Sequence, residues 1–304
     1  MRQLNLKDGL NISEFSLGCM NLPLDDKNEM EKIIQFALES GITHFDTADL
    51  YQFGKNEQEL GKILNVFRST YDFTIATKGG NEFDQKTQEK IGWNPTPKHI
   101  KSAIKDSMHR LGVDHIDLYQ LHGGTIEDNK DETISAFDDL KQEGLITSYG
   151  ISSIRLNVID YYLRHSDMST IMMQFNPLDN RPLEVSNSLK EDVAILARGP
   201  VMKGALSSSW RSVIEEKFPD GFLDYSCEDL KGSLERLSEV EDDLTALSYA
   251  FLRYNEAAIV NGVSSLKQLE SNIESYNKMP DLSQEEYKAV LDAVKIIKYE
   301  EHRA

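Results

Sequence analysis

Short, almost unbroken apolar runs alternate along the chain with longer stretches whose apolar positions recur every three or four residues. The first kind reads as strands buried on both faces, the second as amphipathic helices. "SEFSLG" (13–18) precedes the helical "NEMEKIIQFALES" (28–40), "THFDTA" (43–48) leads to "NEQELGKILNVF" (56–67), and "FTIATKG" (73–79) leads to "TPKHIKSAIKDSMHRLG" (96–112). "HIDLYQLH" (115–122) precedes "DETISAFDDLKQEG" (131–144), whose final Gly reads as a helix stop. "LITSYGISS" (145–153), "TIMMQFN" (170–176), "VAILARG" (193–199) and "AAIVNGVSS" (257–265) supply four more strands, with helices over 242–255, 266–277 and 283–299.

Eight such strands with helices between them predict an α/β fold, a closed (β/α)8 TIM barrel, rather than an open sheet. The opening "MRQLNLKDGLNIS" fits a β-hairpin outside the barrel, turning at "KDGL". The pattern ends in a C-terminal helix. Residues 203–241 are polar without a strand period and read as a long loop containing some helix. No Pro/Ser-rich linker divides the 304 residues, so 1–304 is expected to be one domain.

Composition narrows the partners. Hydrophobic content of 39% and charged content of 28% suit a soluble globular chain. A net charge of −18 repels nucleic acid and anionic membranes, so a phosphate-bearing ligand needs a local cation or a helix N-terminus. The two cysteines, Cys19 and Cys227, form no CxxC or Cys/His cluster, which supports neither a zinc site nor a disulfide framework. The N-terminus lacks an apolar signal core, and no run of 18 apolar residues occurs; the expectation is a cytoplasmic protein, a monomer or weak homo-oligomer.

In a barrel of this kind the chemistry gathers at the C-terminal mouth. Asp46, Lys78 and His122 fall at or near the ends of the second, third and fourth predicted strands, and Tyr51 opens the loop after the second. A phenol with a pKa of about 10 is a poor acid at neutral pH, but a nearby ammonium stabilises the phenolate. Asp46 would hold Lys78 by an ion pair, and His122 could orient or polarise a carbonyl. Each residue alone has a plainer explanation as a cap, a solvated cation or a core imidazole. Their coincidence on consecutive strands favours a site.

At this point the chain resembles the aldo-keto reductases. "GITHFDTADLYQFGKNEQELG", "ATKGG", "IDLYQLH", "YGISS", "MQFNPL" and "VNGVSSLKQLESN" are similar to that family's ordered signature blocks, spanning about residues 13 to 277. The resemblance implies a metal-free, NADP(H)-dependent barrel oxidoreductase acting on a small-molecule aldehyde or ketone. It makes Tyr51 the general acid, Lys78 its activating partner, Asp46 the partner of Lys78, and His122 the carbonyl-orienting group. It places Gly18, Cys19, Met20 and Asp46 beside the nicotinamide. Ser152, Ser153 and Gln174 fall where its amide is held, and Gly199, Pro200, Lys203, Gly204 and Leu206 form the pyrophosphate loop. Ser264, Ser265 and Lys267 match the adenosine 2′-phosphate site, with Gln268 and Asn272 near adenine.

Three positions depart from the pattern. Ser153 stands where the family usually has Asn, no Arg occurs between 254 and 302, and Arg198 replaces an aromatic that stacks on the nicotinamide. A guanidinium can stack on a planar ring but repels the oxidised, cationic one. Alternatively, Arg198 holds an anionic group of the substrate. Trp93 and Trp210 are candidates for the substrate pocket, beside Tyr51 and His122, or for loop anchors. The alternative to a reductase is an NADPH-binding sensor or regulatory subunit with little turnover. A lyase or hydrolase using Lys78 as a Schiff-base nucleophile is a third reading.

Overall fold

The computed structural model describes residues 1–186, 189, 192–301 and 303. Strands β1 (Gln3–Asn5) and β2 (Asn11–Ser13) pair antiparallel around a turn at Lys7–Gly9, where Asp8 and Gly9 both adopt positive φ. Then follow β3 (Phe15–Gly18), β4 (His44–Asp46) and β5 (Thr74–Gly79). The hairpin β6 (Asn81–Asp84) and β7 (Glu89–Trp93) stands apart from them. The chain resumes with β8 (Ile116–Leu121), β9 (Ile146–Ser152), β10 (Thr170–Gln174), β11 (Ala194–Arg198) and β12 (Ala258–Gly262). Strands β3–β5 and β8–β12 form a closed, all-parallel barrel in chain order, β12 pairing back onto β3. This is the (β/α)8 barrel with its separate N-terminal hairpin.

The helices that surround it are α1 (Lys27–Glu39), α2 (Lys55–Phe67), α3 (Pro97–Leu111), α4 (Lys130–Gln142), α5 (Leu156–His165) and α6 (Leu183–Ser186). They continue as α7 (Trp210–Lys217), α8 (Cys227–Val240), α9 (Leu244–Tyr254), α10 (Leu266–Lys278) and α11 (Gln284–Ala293). Their boundaries follow local chemistry. Thr96 caps α3 ahead of Pro97, Gly112 ends it at φ 67°, and Ser226 and Ser283 open α8 and α11 with reciprocal capping boxes.

The alternation of strand side chains builds two cores. Phe45, Ile75, Tyr119, Ile171, Ile195 and Ile259 face outward into the layer between strands and helices. Ala76, Leu118, Met172, Leu196, Ala258 and Val260 fill the barrel, and Leu10 and Ile12 of the N-terminal hairpin close its floor. The hairpin therefore plugs the end opposite the mouth.

Three segments differ from their sequence reading. The polar stretch 203–241 carries two helices, α7 and α8, because Ile214, Leu230, Leu234 and Leu237 bury one face. The loop between β5 and α3 contains the β6–β7 hairpin, which the polar run "NEFDQKTQEKIGW" conceals. The final helix stops at Ala293 rather than 299. Beyond it Ile297 and Tyr299 bury while Ile296 and Lys298 do not, a period-two docking that a helix cannot make. Asn180 holds this tail by accepting from Ile297 N–H and donating to the Lys295 carbonyl.

Candidate active site

Register fixes what meets at the mouth. Asp46 lies opposite Ala76, Lys78 opposite Gln120, and Gln174 opposite Arg198. These residues share the inward face of the cluster that fills the barrel, and so form its topmost layer. Backbone bonds past the strand ends hold the loops in place. Asp49 N–H donates to the Lys78 carbonyl at 3.1 Å, and His122 N–H to the Gly79 carbonyl at 2.8 Å.

Lys78 is completely buried. Its Nζ donates to Asp46 Oδ1 at 2.6 Å, to the Thr47 carbonyl at 2.6 Å and to Tyr51 Oη at 3.5 Å. Burial alone would drive this ammonium towards neutrality, but Asp46 and Tyr51 outweigh it and raise its pKa above the ordinary lysine value. Gln120 Nε2 donates to the other Asp46 oxygen at 3.4 Å. His122 sits edge-on to Tyr51 with ring centroids 5.9 Å apart. Burial, with the cationic Lys78, Arg198 and Lys90 adding to it, pushes the His122 pKa down to about 3, so the imidazole is neutral at physiological pH. Its buried Nδ1 has no partner among the described residues.

Tyr51 reaches this position through a strained turn. Gln52, Phe53 and Gly54 all have positive φ, at 46°, 53° and 85°, a conformation that costs free energy at the two non-glycine positions. Residues not singled out in the sequence over-determine it. Asn56 accepts from Thr47 Oγ1 at 2.7 Å and donates to the Cys19 carbonyl at 2.8 Å. Buried Glu57 accepts from Thr77 Oγ1 and from Arg110 Nε, while the Arg110 side chain lies against Gly54. The "KNE" following Gly54 was the available signal, since an Asn and a Glu opening a helix beside a strand end invite such anchoring.

Trp93, at the end of β7, lies against Gly123, the residue after His122. A Cβ on Gly80 would fall 2.8 Å from its indole and one on Gly123 3.1 Å, and Nε1 donates to the Asp128 carboxylate at 3.0 Å. Trp210 starts α7 and is buried in the outer core, with Arg211 over its ring. Cys19 is also buried, its thiol pushed up by desolvation, whereas neighbouring Met20 is exposed.

The cofactor candidates lie along the β9–β12 and β3 side. Ser152 and Gln174 end β9 and β10, and Ser153 follows directly on Ser152. Exposed Arg198 has no hydrogen bond or ion pair among the described residues. The following loop is pinned from behind: Asn176 donates to the Gly199 carbonyl, Ser248 to that of Pro200 and Thr245 to that of Leu206. Leu206 turns its side chain into the core, so contacts from it are limited to backbone; Lys203 and Gly204 adopt positive φ. A Cβ on Gly18, Gly199 or Gly262 would meet nothing nearer than 3.4 Å. Bare glycine backbone beside a guanidinium unpaired among the described residues fits an anionic, planar ligand.

At the start of α10, Ser265 accepts from Gln268 N–H at 3.3 Å, and Gln268 Oε1 accepts from Ser264 N–H at 2.8 Å. Lys267 is exposed with no partner among the described residues, and Asn272 is half-buried. Leu266 N–H donates to the Glu29 carboxylate of α1 at 2.8 Å.

The closed parallel barrel carries at its mouth the buried Asp46–Lys78 pair, with half-buried Tyr51 and a neutral His122 beside it. The chain belongs to the aldo/keto reductase family, whose model matches residues 14–295. It is 44% identical to the uncharacterized oxidoreductase YqkF of Bacillus subtilis, over all of this chain and 99% of that protein. It is 26% identical to the aldo-keto reductase yakc [NADP(+)] of Schizosaccharomyces pombe, covering 94% of this chain and 90% of that one. Among solved structures it superimposes on the holo form of aldo-keto reductase AKR11C1 from Bacillus halodurans with a TM-score of 0.91 and 42% identity, over the whole of both chains.

Proposed function

We propose that the protein reduces an aldehyde or ketone with NADPH, Tyr51 donating the proton. The observation that carries this reading is the buried Lys78 Nζ, bonded to Asp46 at 2.6 Å and within 3.5 Å of Tyr51 Oη. A reduced nicotinamide, when bound, supplies the hydride to the carbonyl carbon. The chain's own groups do the rest. His122, held neutral, donates an N–H to the carbonyl oxygen and fixes its direction. Tyr51 passes its proton to that oxygen as negative charge develops there, and Lys78 stabilises the phenolate left behind. Asp46 and the Thr47 carbonyl keep the ammonium in place. Ser152, Ser153 and Gln174 would bind the nicotinamide amide, the loop from Gly199 to Leu206 the pyrophosphate, and Ser264, Ser265 and Lys267 the 2′-phosphate. The named NADP(+) relative supports the choice of cofactor.

The test is NADPH consumption over a panel of small aldehydes and ketones, comparing the natural protein with Tyr51→Phe. Turnover should fall by about 10²–10⁴-fold, with nucleotide binding, followed by cofactor fluorescence, unchanged. Equal turnover in the two proteins would remove Tyr51 as the acid.

A further inference from the structure

We propose that Glu29 is a specificity-determining residue that competes with the cofactor's 2′-phosphate for the N-terminus of α10, and so weakens the protein's discrimination in favour of NADPH. This rests on the cofactor site proposed above. The first free N–H groups of a helix, together with its dipole, attract an anion. Here the helix is 13 residues long and its first N–H, that of Leu266, already donates to Glu29 Oε1 at 2.8 Å. Further donors of this turn are satisfied internally: Gln268 N–H by Ser265 Oγ, and Ser264 N–H and Oγ–H by Gln268 Oε1.

Glu29 is not there as one member of an ion pair. Nearby acids of the α1 start have other engagements: Asp25 pairs with Lys55, and Asp26 caps α1 by accepting from Glu29 N–H. The Glu29 carboxylate has no cation within ion-pair distance among the described residues. Its charge is met by two helix starts, that of its own α1, in whose first turn it lies, and that of α10. At the same end Lys267, unpaired among the described residues, is the cation that can meet a phosphate. A dianionic phosphate arriving at Ser264, Ser265 and Lys267 meets a full negative charge on the neighbouring N–H. A cofactor with a 2′-hydroxyl meets no such repulsion and can donate to the carboxylate. The arrangement offsets the gain from Lys267 specifically for the phosphorylated cofactor.

The experiment is calorimetric titration of the whole protein with NADPH and with NADH, at low and moderate ionic strength. Glu29→Gln keeps an oxygen that can accept from Leu266 N–H while removing the charge, and Glu29→Ala vacates the donor. Both should raise the ratio of NADPH to NADH affinity by about five- to tenfold at low salt, less as salt screens the charge. NADH affinity itself should change little in Glu29→Gln. A ratio unchanged in both variants, or shifted towards NADH, overturns the proposal while leaving the cofactor site standing. Failure of the natural protein to bind either nucleotide overturns the cofactor reading and this proposal with it.

Discussion

At the mouth the residue with the fewest obligations is Arg198. Every other charged group of the topmost barrel layer is engaged: Lys78 with Asp46, and Asp46 with Gln120 as well. Arg198 lacks a partner among the described residues yet depresses the His122 pKa, so its charge is felt at the reacting centre. If it faces the nicotinamide, the oxidised cationic ring is disfavoured relative to the reduced one. Arg198→Leu should then narrow the ratio of NADPH to NADP+ affinity, measured by fluorescence titration of both forms, by about three- to tenfold. An unchanged ratio, with a raised KM only for anionic carbonyl compounds, would assign Arg198 to the substrate instead. Asp46, Tyr51, Lys78 and His122 were legible in the sequence because each ends a strand or opens its loop. The groups that hold them, Asn56, Glu57, Arg110 and Gln120, were not. Their partners come from other elements, as with Arg110 of α3 reaching Glu57 of α2, and one-dimensional spacing does not encode such pairings.

Elements were readable in proportion to how completely they are buried. All eight barrel strands lie inside the predicted runs, since a strand covered on both faces reads as a nearly continuous apolar run. The β6–β7 hairpin is half exposed and carries Glu82, Asp84, Lys86 and Lys90, so no alternation announces it. It nonetheless sets Trp93 against Gly123, the residue after His122. The N-terminal hairpin was recognisable from its turn, but its task was not: Leu10 and Ile12 close the barrel floor. That assignment makes a separable prediction. Ile12→Ala removes a fully buried side chain at the end opposite the mouth. It should cost about 2–5 kcal/mol in urea unfolding while kcat and KM at ambient temperature stay within twofold. A variant equally stable, or one that loses nucleotide binding while folded, would contradict the hairpin's role as a floor remote from the site.

For the molecule as a whole, an acidic chain of net charge −18 carries Lys78 fully buried inside its barrel, and the same interior shapes its response to acid. His44 lies on β4 two residues before Asp46, with no solvent exposure. Its Nδ1 is 2.7 Å from Thr74 Oγ1, and its Nε2 has no partner among the described residues. Burial, reinforced by the charge of Lys78, pushes its pKa down from 6.5 to about 3. In the unfolded chain the same imidazole titrates near about 6.5. Between these values the unfolded state binds the extra proton, so stability is fully present above pH about 6.5 and is lost progressively as pH falls towards 3. The loss from this one residue approaches on the order of 5 kcal/mol at the lower end. His122 adds to it in the same direction. Replacing His44 by Leu leaves Thr74 Oγ1 its bond to the Thr43 carbonyl and removes the titrating group. Urea unfolding measured from pH 7.5 to 4.5 should therefore show a shallower decline for His44→Leu, by up to about 1.4 kcal/mol per pH unit. Parallel curves for the two proteins would mean that the barrel opens to protonate His44 without unfolding, and that its interior is wetter than its packing implies.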